Sequence, residues 1–210
     1  MAQLIRGLDA RRVADNLARV RDEIGRDDVE VLAAAKYVAA EEIGVLAEAG
    51  IRVVGENRLQ ELERKAGEHP DLTWDFIGHL QSRKVRDVLA IVRWIHSVSS
   101  DSVLRQLEKH AAPDTEVLVE VNVAREEGKS GVLPEDLDGF LERSPVTVVG
   151  LMTMPPLATD PEDSRRWFAA LAQLAGDRGL RELSMGTTQD FSVAAQEGAT
   201  IVRIGTRLYT

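Results

Sequence analysis

The chain contains no cysteine. Disulfides, thiolate nucleophiles and cysteine-ligated metals are therefore excluded. It has no stretch approaching the roughly 20 apolar residues that cross a bilayer as a helix. Its first residues, Met1 to Arg6, carry neither a long apolar core nor a cleavage pattern, so no secretory signal is expected there. Basic charge is in deficit: 26 Lys and Arg stand against 35 Asp and Glu, a formal net charge of -9. Nucleic-acid binders carry a basic footprint, so neither nucleic acid nor membrane is an expected partner. Repeats, low-complexity segments and linkers are also missing. The remaining expectation is a soluble, cytoplasmic protein, with residues 1–210 forming one domain. At 210 residues and 44% hydrophobic, the chain is long enough for a substantial core.

What is present alternates regularly. Val13, Leu17, Val20 and Ile24 form a helical stripe. Val29 to Ala35 then reads as a first buried strand, followed by a helix from Glu41 to Ala49. Further strands are expected at Ile51 to Asn57, Trp74 to His79, Trp94 to Val98, Glu116 to Val123, Val146 to Met152, Leu183 to Gly186 and Thr200 to Gly205. Helical patterns separate them. One runs through Lys65, one carries Val85, Val88, Leu89 and Val92, and one carries Leu104 and Leu107 with Asp101 as its cap. Others carry Leu137, Phe140 and Leu141, then Trp167, Leu171 and Leu174, then the segment Asp190 to Glu197. Strict alternation predicts a parallel sheet with right-handed crossovers. About eight units is the number that closes a (β/α)8 TIM barrel. An open doubly wound sheet is the second choice, but its Gly-rich first turn is absent after the first strand.

In a barrel, chemistry gathers at the C-terminal ends of the strands. Lys36, Asn57, His79, Asn122, Thr153, Ser184 and Arg203 all fall there. Lys36 closes the first apolar run. A lysine desolvated in that position has a lowered pKa and a nucleophilic amine, which suits a Schiff base with a carbonyl compound. Taken alone, it reads more simply as a lysine snorkelling from a strand end. Ser184 to Thr188 offers hydroxyls just before a helix, and Gly205-Thr206 offers backbone amides after the last strand. Helix N-termini and such loops attract phosphate. Each feature alone is ordinary turn chemistry. Together with Lys36 they favour a phosphate ligand bearing an aldehyde. Arg203 fits either the phosphate or an aromatic nitrogen acceptor. His79 and His96 lack partners at metal spacing, so no zinc site is expected. Glu56 and Asp75 are expected to be structural. Glu61-Leu62-Glu63-Arg64-Lys65 reads as a solvated helix face.

Several motifs occur in a fixed order. They are Ala34-Ala35-Lys36-Tyr37, Val54-Gly55-Glu56-Asn57, Trp74-Asp75-Phe76-Ile77-Gly78-His79-Leu80-Gln81-Ser82-Arg83-Lys84, Val121-Asn122-Val123, Gly150-Leu151-Met152, Leu183-Ser184-Met185-Gly186 and Val202-Arg203-Ile204-Gly205-Thr206. This series resembles the pyridoxal phosphate homeostasis protein family, single-domain relatives of the N-terminal barrel of alanine racemase, of PLP fold type III. The resemblance covers nearly the whole chain. It implies pyridoxal 5'-phosphate as cofactor, with Lys36 as the internal aldimine lysine. It places Thr188, Gly205 and Thr206 on the phosphate, Arg203 at the pyridine nitrogen, Asn57 beside the ring and Ser184 in support of the seventh-strand loop. An arginine at the pyridine nitrogen leaves that nitrogen unprotonated and weakens the ring as an electron sink. Two departures bear on phosphate affinity. Thr187-Thr188 stand where the family usually has Met-Ser, and the chain ends in Leu208-Tyr209-Thr210 where the family usually continues from Phe-Gly.

The function so implied is intracellular cofactor homeostasis: a monomer that holds the reactive aldehyde and, as a further role, delivers it to apo-enzymes. No catalytic residue is assigned. A racemase needs a second base opposite the lysine, and neither Tyr37 nor Tyr209 has a clear claim to that task. The alternatives are an amino-acid racemase or lyase using the same cofactor, and a cofactor-free Schiff-base aldolase.

Overall fold

The computed structural model describes residues 4–210. The expectation about a signal segment rests partly on Met1 to Gln3, which lie outside the described residues. Helix α1 (Ala10–Ile24) starts at Asp9, whose side chain accepts a hydrogen bond from the Arg12 N–H. It ends at Gly25, which takes the left-handed conformation that glycine adopts without steric cost. The stripe Val13, Leu17, Val20 and Ile24 is buried as its spacing predicts. This face packs on the last helices of the chain, so α1 closes the outer wall.

Next come β1 (Glu30–Ala34), α2 (Ile43–Glu48), β2 (Val53–Glu56), α3 (Leu59–Glu68), β3 (Thr73–Phe76), α4 (Val85–Leu89), β4 (Trp94–Val98) and α5 (Asp101–His110). The second half holds β5 (Glu116–Glu120), α6 (Leu137–Glu142), β6 (Thr147–Met152), α7 (Arg165–Gly176), β7 (Glu182–Thr187), α8 (Phe191–Gln196), β8 (Ile201–Ile204) and α9 (Thr206–Tyr209). Among the described residues these strands form a closed barrel in sequence order. Every neighbouring pair is parallel, and β8 closes on β1 with Leu32 opposite Arg203. The expected (β/α)8 barrel is the observed architecture.

Alternation of side chains across each strand divides the interior in two. One set packs outward under the helices as the main apolar core. The other points along the barrel axis. There Leu32, Val53 and Ile201 form a small separate cluster with the half-buried Ile77 and Trp94. Polar groups such as Asp75, His96, Ser184 and Arg203 share the interior with it.

Local details differ from the sequence expectations. The cap of α5 is Ser100, whose hydroxyl accepts from the Val103 N–H, while Asp101 is the first helical residue. Serine serves there because it can keep the extended backbone of a cap. In α7 the fully buried face is Phe168, Leu171 and Ala175, with Trp167 and Leu174 only half-buried beside it. The strand expected to reach Val123 stops at Glu120, because Val121 bridges to Val132 across a loop.

The largest correction concerns Lys65. It is not on a solvated face but is 0% exposed. Its Nζ donates to Glu56 Oε1 at 2.7 Å and to the Ala35 carbonyl at 2.9 Å. A buried ammonium persists only when charge and hydrogen bonds compensate its lost hydration. Glu56, also 0% exposed, supplies the charge.

Candidate functional site

The C-terminal ends of the strands open into a cavity of about 520 Å³. Six of the residues expected at the site line it: Lys36, Asn57, Thr188, Arg203, Gly205 and Thr206. They come from β1, β2, β7 and β8, so only closure of the barrel brings them together.

Lys36 lies past the end of β1 and is exposed at the cavity rim. The desolvated setting expected for it is therefore not present. β1 ends at Ala34, and the turn carries Lys36 out of the apolar wall. Its Nζ sits 5.0 Å from the centre of the Tyr37 ring. The two carbonyls just before it are anchored. Tyr209 Oη donates to Ala34 O at 3.1 Å, and Lys65 Nζ holds Ala35 O.

Asn57 follows β2. Its backbone N–H is bound by the Glu56 carboxylate, which also accepts from the Arg58 N–H. Its side-chain Oδ1 is buried and has no partner among the described residues. Such an orphan is unusual in a native fold and fits a site shaped for a ligand. Gly78 fixes the position of this residue. A Cβ on Gly78 would lie 2.4 Å from the Asn57 carbonyl oxygen, so only glycine permits that approach.

On the other flank of β1, past the ends of β7 and β8, Thr188 Oγ1 accepts from the Gly205 N–H at 3.1 Å. A hydroxyl that accepts one hydrogen bond still has its own proton to give. Thr187 is tied to Asp190 through its N–H at 2.8 Å and its hydroxyl at 3.2 Å. Gly186, just before, has φ +88° and packs so closely that a Cβ would fall 2.5 Å from Ala194 Cβ. The seventh-strand loop is thus pinned against α8.

Arg203 forms part of the cavity wall and is 5% exposed. Its Nη1 donates to Ser184 O and Ser184 Oγ, both at 2.6 Å, and its Nη2 donates to Thr153 O at 2.8 Å. Burial pushes its pKa down to about 10, against the pull of Asp190 and Glu120. It is cationic at neutral pH. Ser184 does not line the cavity. It is fully buried behind Arg203 and joins it to His96. Thr153 is likewise buried, donating to Val121 O. Asn122 instead folds its amide onto Glu126 in the loop after β5, so it is no part of the cavity wall.

Several cavity residues have no role in the site assigned to them by the sequence. Glu120 is 7% exposed and accepts from Ser130 Oγ at 2.6 Å. Burial raises its pKa, opposed by Ser130, Arg203 and His79. Tyr209 is buried on the wall, and burial together with the nearby Glu56 pushes its ionisation well above the ordinary phenol range. Lys129 and Ser130 line the far side with His79. Strand-end position was the available signal for Glu120. Tyr209 had none, because its place depends on α9 folding back on the barrel. Asp75 and Glu56 are structural, as expected. No group of three or more potential metal ligands occurs among the described residues, nor is any helix there long and apolar enough to cross a membrane.

Fold and site together define a class: closed eight-stranded parallel barrels with a lysine following the first strand and a hydroxyl-and-amide cradle beside it, after the last two strands. The chain belongs to the alanine racemase N-terminal domain family, whose model matches residues 8–210, and within it to the pyridoxal phosphate homeostasis proteins. It is 40% identical over 215 residues to the pyridoxal phosphate homeostasis protein of Aquifex aeolicus (strain VF5), covering 94% of both chains. It is also similar to PipY of Synechococcus elongatus PCC7942. The structure of PipY without PLP gives a TM-score of 0.84 at 33% identity, over 94% of this chain and 100% of that one. The structure with PLP bound gives 0.80 at 31% identity, with the same coverage.

Proposed function

We propose that this chain binds pyridoxal 5'-phosphate and serves in intracellular homeostasis of that cofactor. The observation that carries the reading is the convergence of Lys36, Asn57, Thr188 and Arg203 on one cavity. Lys36 supplies the amine for a covalent link to the carbonyl carbon. Its exposed place at the rim leaves that amine accessible. Thr188 gives its hydroxyl proton to the phosphate, with Gly205 and Thr206 beside it. Arg203 faces the pyridine nitrogen as a fixed cation and leaves it unprotonated. Asn57, with its unpartnered Oδ1, lies alongside the ring. Ser184 acts through Arg203. When bound, the cofactor supplies a reactive aldehyde on an aromatic electron sink. The protein's part is to hold that aldehyde and shield it.

Residues 1–210 act as one domain and as a monomer in the cytoplasm. Storage, with release to apo-enzymes, is the role; turnover is not. A racemase would need an acid–base group facing Lys36. Tyr209 is a poor candidate, because its hydroxyl is already given to Ala34 O and is hard to ionise. The same cavity would take a phosphorylated carbonyl substrate in an aldolase, and spectroscopy separates the two. Purified protein titrated with pyridoxal phosphate should develop a visible band that Lys36→Ala lacks. Amino acids added to the loaded protein should give no sustained turnover. Reactivation of an apo-enzyme by the loaded protein tests delivery. A Lys36→Ala protein that keeps the band contradicts the reading.

A further inference from the structure

A line of polar side chains crosses the barrel axis beneath the cavity. It runs Glu30, Arg93, Asp75, His96, Ser184, Arg203. Arg93 pairs with Glu30 at 2.7 Å and with Asp75 at 2.5 Å. His96 Nε2 lies 3.1 Å from Asp75 Oδ2, and His96 Nδ1 lies 2.9 Å from Ser184 Oγ. Ser184 Oγ then meets Arg203 Nη1 at 2.6 Å. β4 and β7 are not neighbours in the sheet. The His96–Ser184 bond therefore spans the interior of the barrel. Asp75, His96 and Ser184 are all buried beyond reach of bulk water.

We infer that His96, locked by Asp75 into its Nε2–H tautomer, is a positioning residue that turns Ser184 onto Arg203 and so fixes the guanidinium at the cavity wall. The assignment follows from donor and acceptor accounting. Asp75 accepts from Arg93 at both oxygens and from the Trp94 N–H at Oδ1, and its Oδ2 is also the atom that meets His96. It faces Nε2, so that nitrogen carries the proton. Nδ1 then presents a lone pair, and the Ser184 hydroxyl donates to it. With its proton committed to His96, Ser184 Oγ turns its lone pairs to Arg203. The opposite tautomer would set the Nε2 lone pair against the Asp75 carboxylate and leave the Ser184 proton without an acceptor. Burial favours neutral imidazole, consistent with this arrangement. The buried ring thus carries the influence of Arg93 and Glu30, at the far end of the barrel, to a group in the candidate site. His96 touches no ligand in this scheme and is not a catalytic residue.

The effect on the ligand rests on the proposed function, whereas the tautomer does not. The test therefore has two arms. Long-range proton–nitrogen spectra of labelled protein without added ligand resolve the ring nitrogens of its 4 histidines. Loss of one set in His96→Gln assigns His96. A protonated Nε2 with a bare Nδ1 is expected. A proton on Nδ1, or on both nitrogens at neutral pH, overturns the inference. The second arm titrates pyridoxal phosphate into wild type, His96→Gln and His96→Asn, with folding checked by circular dichroism. The glutamine amide can serve Asp75 but offers Ser184 no acceptor at the Nδ1 position. Asparagine places its carbonyl there. His96→Gln should weaken binding on the order of tenfold or more and move the band of the bound form. His96→Asn should retain that band position and most of the affinity. Equal losses in both variants, with an unmoved band, reduce His96 to packing and overturn the inference. If wild type takes up no pyridoxal phosphate, the proposed function fails, and the tautomer still decides the positioning claim.

Discussion

Removal of the Lys65 ammonium is the sharpest perturbation of the site's foundation. In Lys65→Met the chain length and most of the volume remain, but two hydrogen bonds vanish: 2.7 Å to Glu56 Oε1 and 2.9 Å to Ala35 O. Glu56 is left as a carboxylate with 0% exposure, bonded among the described residues to the Asn57 and Arg58 N–H groups. Breaking a buried pair from one side costs about 3–5 kcal/mol, because the stranded charge cannot recover its hydration. For a chain of this size that corresponds to roughly 6–20 °C in Tm. In Lys65→Met/Glu56→Gln the charge is gone while an amide still accepts from the backbone, so the double variant should recover about half of the loss or more. The assay is urea denaturation of the wild type, both single variants and the double variant, read as a coupling energy. A Lys65→Met loss below about 1 kcal/mol, or no recovery in the double variant, would refute the buried-pair account. Because Ala35 precedes Lys36, the single variant should also lower the affinity for pyridoxal phosphate.

Other outcomes follow from the same structure. Gly78→Ala forces a methyl onto the Asn57 backbone, where the Cβ would stand 2.6 Å from Asn57 Cα. It should cost about 3 kcal/mol in chemical denaturation and weaken ligand binding together. Thr188→Val leaves the Gly205 N–H without its acceptor and should cost about 1–2 kcal/mol, with about a tenfold rise in the Kd for pyridoxal phosphate by titration. Acid stability should fall in two stages. His96 in the fold titrates below its ordinary 6.5, so below pH 6.5 the unfolded chain takes up the proton first. Stability then drops by up to about 1.4 kcal/mol per pH unit from this group until pH passes its folded value. Burial tends to raise Asp75, but hydrogen bonds from His96 and Arg93 outweigh that and hold it below 3.8. Its contribution is therefore intact above pH 3.8 and is lost as pH falls through its lower folded value. His96→Gln should flatten the first stage and, by removing the imidazole charge that helps hold Asp75 low, move the second to higher pH when unfolding is followed by fluorescence.

The barrel was legible because its cause is local. Apolar runs such as Val53 to Val54 and Val117 to Val119 alternate with helical stripes, which specifies a parallel sheet, and the count of about eight units points to its closure. The cavity residues were legible because strand ends are predictable: Lys36, Asn57 and Arg203 stand at or just past theirs. Through-space partners were not legible. Lys65 occupies a helix face whose i,i+4 neighbour Glu61 suggests solvent, yet its real partner, Glu56, is on an adjoining strand. His96 meets Ser184 across the barrel, 88 residues away, and no periodicity encodes that contact. The desolvation expected of Lys36 at the rim failed for a related reason. Strand composition predicts the apolar wall, but not how far the following turn leaves it.

The covalent claim at position 36 is tested most directly by loading the protein with pyridoxal phosphate, reducing it with borohydride and mapping the labelled peptide by mass. The account predicts one pyridoxyl group on Lys36 at close to one per chain. A label that falls on Lys129, is spread over several lysines, or is absent after loading would contradict it.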